Sequence, residues 1–196
     1  MRSSRRHAAS KPDFEPTANG VPDSPGRRFV FPVISIVVND VQIKTWEELS
    51  KDEFFEIAQL RCEVFFVEQR VDVQDFDDAD RAATTTHYFL RDETGVYAYL
   101  RTLILDPSEF GAERAIGRMA VRQDHRGKGL ATVLLKAALE RWGSEPIILH
   151  AQEYVTALYA AVGFEIVGEP FDEAGIPHRS MLRVPPAWER DETSVN

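Results

Sequence analysis

The stretch RQDHRGKGLATVLL, residues 122–135, sets two glycines, two arginines and a lysine within eight residues and then becomes an apolar, helix-favouring run. A basic glycine-rich loop that opens a helix suits an anion. Glycines let backbone N–H groups approach it without a Cβ in the way. The helix N-terminus adds unpaired donors and the positive end of the dipole, and Arg126 and Lys128 add charge. Several converging donors match a diphosphate better than a carboxylate. Composition alone leaves a solvated basic helix cap level with that reading. Two standard phosphate motifs fail. Arg122 stands where a P-loop needs its first glycine, and Gly129 where it needs Ser or Thr after Lys128; Thr132 stands where a dinucleotide fingerprint needs its third glycine.

Working outward, RAIGRMAVR before the loop reads as a strand, and a helix is predicted from about Gly129 to Trp142 with Leu130, Val133, Leu134, Ala137 and Ala138 on one face. PIILHA then reads as a buried strand, EYVTALYAAV as a short helix, GFEIVG as a strand, EPFDEAGIPH as a loop and HRSMLRV as a last strand. Upstream, Ser50 and Glu53 form a capping box. Phe54, Ile57, Leu60, Val64 and Val67 come next at helical spacing, which predicts a helix over 51–67 with Arg61, Glu63 and Glu68 at its edges. HYFLR and VYAYLRTLIL flank a turn at Asp92 to Gly95, with DPSEFGAE as a break after them. Residues 69–86 read as an irregular acidic loop. Its carboxylates are expected to be solvated and to cap turns, with a recognition patch for a polyamine or lysine-like acceptor over Asp72 to Asp80 as the less favoured reading; it fails the calcium-loop template. The whole is an α/β layer with helices on a mixed sheet.

With 196 residues the chain fits one domain plus tails. The expected division is a disordered basic extension over 1–28, a domain over 29–186 and a flexible tail over 187–196. RRFVFPVISIVV, residues 27–38, is too short to span a bilayer and too rich in Val, Ile and Phe for anything but a strand. The net charge is −9, and the extension itself is basic, so the body is more acidic still. That disfavours nucleic acid as a partner. One cysteine, Cys62, excludes an intrachain disulfide and suits a reducing cytoplasm; its apolar surroundings predict a buried small hydrophobe.

Arg126-x-x-Gly129-x-Ala131 resembles the pyrophosphate-loop signature of the GNAT N-acetyltransferases, and Tyr159-x-x-x-Gly163-Phe164 resembles that family's Y-x-x-x-G-F. RCEVFFVEQ, QDFDDAD, IGRMAV, RGKGLA, LHAQ and GIPHRSM, spread from about Trp46 to Met181, resemble the blocks of its ElaA-like subfamily in order. The resemblance implies a central mixed, mostly antiparallel sheet flanked by helices in a single domain. It also implies acetyl transfer from acetyl-CoA to an amine, with a small-molecule acceptor favoured. A protein or peptide acetyltransferase and a non-catalytic acyl-CoA-binding module are the alternatives. On this resemblance Met119, Ala120 and Val121 offer backbone groups to the pantetheine arm. Arg126, Gly127, Lys128, Gly129, Leu130 and Ala131 hold the pyrophosphate, and Gln152 stands where an Asn often contacts the cofactor. Tyr159 is the expected general acid. The base is left among Glu68, His150, His178 and a chain of waters. Glu63 and His178 are the expected acceptor-binding residues, His178 from a loop. No metal is expected, since no pair among His87, His150 and His178 has ligand spacing. A cytoplasmic protein without membrane partners, with a homodimer as the family's default assembly, completes the expectation.

Overall fold

The computed structural model describes residues 40–186. The strand expected over 27–38, the basic extension and the tail lie outside the described residues. Seven strands form one sheet in the order β1-β2-β3-β4-β5-β7-β6. They are β1 (Gln42–Lys44), β2 (Thr86–Asp92), β3 (Gly95–Glu109), β4 (Ala112–Val121), β5 (Ile147–Gln152), β6 (Glu165–Glu173) and β7 (Ile176–Arg183). Only β4 and β5 run parallel; every other neighbour pair is antiparallel. The helices are α1 (Lys51–Arg61), α2 (Leu130–Trp142) and α3 (Thr156–Ala160).

The central strands are covered on both faces, and β2 is buried without alternation from Thr86 to Leu90. On one face α2 sets Leu130, Leu134 and Ala138 against Tyr88, Leu100 and Leu149. On the other, Ile57 and Leu60 of α1, with Val64 just after it, pack against Phe89, Tyr99 and Ala120. Alternation along β2 sends Tyr88 to one core and Phe89 to the other, as a period of two requires.

The capping box at α1 forms as expected: Glu53 N–H donates to Ser50 Oγ at 3.1 Å and Ser50 N–H to a Glu53 carboxylate oxygen at 2.9 Å. Several expectations are corrected. The helix does not run regularly to 67. It widens after Arg61 into a π-type segment, Cys62–Glu68, with Gln69 N–H bonded to Val64 O at 3.1 Å. The widening turns the helix face, so Cys62 is exposed rather than buried, and Val67 is exposed too.

Arg61 is not at an edge; it is buried, and the acidic loop closes over it. It bonds Asp80 at 2.7 Å and Asp75 at 2.9 Å. Arg101 bonds Asp80 at 2.6 Å and Asp77 at 2.8 Å. Asp75, Asp77 and Asp80 therefore form a structural ion-pair network rather than standing free in solvent, because two buried guanidiniums need anionic partners. The expected turn capping does occur, with Asp77 N–H donating to the Asp80 carboxylate at 3.2 Å, and Asp72 and Asp78 are exposed as expected. Burial alone would raise the Asp80 pKa, but Arg61 and Arg101 outweigh it and hold the carboxyl below its ordinary value.

DPSEFGAE is no break, for β3 continues to Glu109 and turns into β4 at Phe110 and Gly111, both with positive φ. Likewise EPFDEAGIPH is strand: β6 and β7 meet at a tight turn of Ala174 and Gly175. His178 thus stands on β7, opposite Gln152 of β5 and Phe171 of β6, not in a loop.

Candidate active site

β4 and β5 pair only from Arg114 with Ile147 to Ile116 with Leu149. Both strands run on, to Val121 and Gln152, without pairing to each other. The cause lies in β4. Tyr99 of β3 opposes Ala120 and Arg101 opposes Gly117, so β4 carries one residue more than β3 there. Arg118 takes up the excess in the left-handed region at φ 57. A bulge of this kind bends and twists its strand. Asp75 fixes it by accepting from the Arg118 guanidinium at 2.8 Å. The strands part, and a cleft of about 870 Å³ opens along the seam.

The loop of residues 122–129 stands at the end of β4. Gly127 and Gly129 have φ of 74 and 76, and a Cβ on either would meet no atom within 4 Å. No side chain caps α2 at Gly129, and Val133 is the first N–H to bond back, to Gly129 O at 3.1 Å. The N–H groups of Leu130, Ala131 and Thr132 therefore have no intrahelical acceptor, and all three residues line the cleft. Arg126 donates through Nε to Val121 O at 2.9 Å and pairs with Glu68 through its terminal nitrogen.

The structure brings together Met119, Val121, Arg126, Gly127, Gly129, Leu130, Ala131, Glu68, His150, Gln152, Tyr159 and His178, all on the cleft wall. It leaves three expected residues off that wall. The Ala120 side chain packs into the α1 core, Lys128 is exposed on the outer side of the loop, and Glu63 is exposed on the widened helix.

The position of Tyr159 is set by Gly163 and Phe164. Gly163 adopts φ 92 at the end of α3, and Phe164 N–H returns to Tyr159 O at 3.2 Å. The Phe164 ring then lies edge-on to the phenol at 6.3 Å between centroids. Burial, with a smaller contribution from Tyr154, pushes the Tyr159 pKa up to about 12.

Across the cleft, His150 Nε2 lies 3.1 Å from both carboxylate oxygens of Glu109. A carboxylate only accepts, so in the neutral imidazole Nε2 carries the proton and Nδ1 the lone pair. Phe171 stands edge-on to the His150 ring and stacks on His178, at 5.1 and 5.7 Å between centroids. Gln152 donates to Gln69 Oε1 at 3.0 Å and accepts from the Tyr154 hydroxyl at 2.6 Å, which ties the end of β5 to the end of the widened helix.

Glu109, Gln69, Tyr154 and Glu173 are among the cleft residues that the sequence did not single out. Glu109 lay hidden in DPSEFGAE, whose turn-forming residues masked the extended arm of β3. Among the described residues no group of His, Cys, Asp and Glu is arranged to hold a metal ion, and no helix is long and apolar enough to cross a membrane.

Comparisons with known proteins bear on the family and the fold. The family model described as acetyltransferase (GNAT) domain matches residues 62–184. A UPF0039 protein of Mycobacterium tuberculosis is 38% identical over 143 residues, covering 71% of this chain and 90% of that protein. The protein ElaA of Escherichia coli is 34% identical over 140 residues, covering 69% of this chain and 90% of ElaA. The crystal structure of E. coli ElaA superposes with a TM-score of 0.67 over 73% of this chain and 97% of that one. That of an acyl-CoA N-acyltransferase from Pseudomonas aeruginosa gives 0.66 at 35% identity, over 74% of this chain and 99% of that one.

Proposed function

The chain belongs to the GNAT acetyltransferase family, with ElaA-like relatives, and from that premise we propose that it moves the acetyl group of acetyl-CoA to an amine by direct attack. One observation carries the reading. An uncapped, glycine-flanked helix N-terminus and a buried tyrosine stand on the wall of one cleft, beside two parallel strands that have parted.

The unpaired N–H groups at the start of α2, with Arg126, would take the diphosphate. Backbone groups of Met119 and Val121 would meet the pantetheine arm, and one N–H there would face the developing oxyanion. The Gln152 amide is close by, but a cofactor contact would compete with its bonds to Gln69 and Tyr154.

The acceptor must lose a proton before or as it attacks. His150 is the base we assign, through Nδ1, because Glu109 occupies Nε2. Glu68 is committed to Arg126 and serves the cofactor loop instead. The amine nitrogen bonds the acetyl carbon, the C–S bond breaks, and the coenzyme thiolate takes the Tyr159 proton. A phenol raised by burial stays protonated at neutral pH. The thiolate leaves into the same low-dielectric site, which raises its own proton affinity, so the transfer remains matched.

The test is to incubate the pure protein with acetyl-CoA and a panel of amines and to follow CoA release. Release that depends on both is the expected result. Failure to bind acetyl-CoA would overturn the reading, and binding without turnover on any amine or peptide would reduce the protein to an acyl-CoA-binding module.

A further inference from the structure

Resting on that reading, we infer that the acceptor is a cationic aliphatic amine that carries no acid group, and that Glu173 helps to select it. The inference comes from the charges on the cleft wall. Each arginine there is already matched by a carboxylate: Arg101 by Asp77 and Asp80, Arg118 by Asp75, Arg126 by Glu68. No lysine lines the cleft. Among the described residues, the wall therefore offers no uncommitted cation to an acceptor's carboxylate or phosphate.

Two lining carboxylates have no Lys or Arg partner among the described residues. Glu109 faces His150 and, at 3.5 Å, Ser180 Oγ. Glu173, at the tip of β6, is 3.9 Å from His178 Nε2 and is half exposed. His178 itself is only 7% exposed. Its Nδ1–H donates to Ile176 O at 2.7 Å, so Nε2 is the ring nitrogen that lies 3.9 Å from Glu173, and both residues line the cleft.

Leu103 and Leu105 of β3 and Ile148 of β5 supply an apolar band alongside. An alkyl stem fits the band, and an ammonium fits the carboxylates. At neutral pH an alkylamine arrives protonated, so Glu109 and Glu173 attract it in the form in which it is abundant. Glu109 sits beside the proposed base, where the proton must leave. Glu173 sits beside His178, where a second cation would rest.

Three acceptors of matched length test this: 1,4-diaminobutane, butylamine and 4-aminobutanoate, compared by kcat/KM for CoA release. The expected order is diamine, then monoamine, then amino acid, with about tenfold or more between the ends, as two half-exposed carboxylates attract one tail and repel the other. Glu173→Gln should narrow the ratio between diamine and amino acid severalfold. Turnover of all three with the amino acid equal or preferred would overturn this inference and leave the transferase reading standing. An unchanged ratio in Glu173→Gln would remove Glu173 as a selector. No CoA release with any amine would overturn the transferase reading, and this inference with it.

Discussion

Tyr159 owes its place to Gly163. The left-handed glycine ends α3 and folds Phe164 back under the phenol, so the spacing of the Y-x-x-x-G-F motif is a packing requirement as much as a chemical one. Tyr159→Phe keeps the ring and that packing. Acetyl-CoA binding by calorimetry should be unchanged, while kcat falls about a hundredfold or more, the usual worth of a positioned acid; unaltered kcat would remove Tyr159 from the reaction. Glu109 acts through another residue. Glu109→Gln at saturating amine should lower kcat about tenfold, and most of that loss should vanish in a His150→Gln background. Losses that simply add would make Glu109 a structural residue. The sequence made Tyr159 legible because its motif is local. It hid Glu109, because the partner strand is 41 residues away and only the long arm of β3 brings the two together.

The loop and helix formed by residues 122–142 were legible nearly entire, since a glycine-flanked turn and a strong apolar stripe are both short-range signals. Gly129→Asp places a carboxylate where an anion is expected, and its Cβ meets no protein atom within 4 Å. Its left-handed φ costs about 1–2 kcal/mol for any side chain. The expected outcome is a modest drop in Tm with a loss of acetyl-CoA affinity of about tenfold or more; an unchanged Kd would show that the diphosphate lies elsewhere. The elements misread were the hairpins. Pro, Gly and Asp in DPSEFGAE and EPFDEAGIPH are turn formers, yet both stretches are held extended by neighbouring strands. The widening of α1 was likewise invisible, because Val67 continues the apolar stripe that the π-type segment turns outward.

At the scale of the molecule, Asp75, Asp77 and Asp80 fasten the loop after α1 to β3 and β4 through Arg61, Arg101 and Arg118. Arg101, then burial working against it, sets Asp77 below its ordinary pKa, and Asp80 is lowered as well. A carboxyl whose folded pKa lies below its unfolded value, near 4, stabilises fully above that value and loses the contribution as pH falls through the folded one. Tm should therefore hold from neutral pH to about 5 and drop steeply below about 4. Asp80→Asn should lower Tm at neutral pH, by roughly 3 kcal/mol of stability for a broken buried pair, and blunt the acid limb; an unchanged acid limb would exclude these residues as its source.

The same network steadies the bulge at Arg118, and with it the seam where β4 and β5 separate. A sheet normally keeps its unpaired rims at its outer margins, where they invite other chains to add on. Here a rim lies in the middle of the sheet, inside a cleft. It is shielded from a second protein molecule by depth and open to a slender guest with amides of its own. A bound acyl-CoA would then act as a short inserted strand. Amide hydrogens of residues 117–121 and 150–152 should exchange more slowly once it is in place, while those of β1, at the outer margin, should not change.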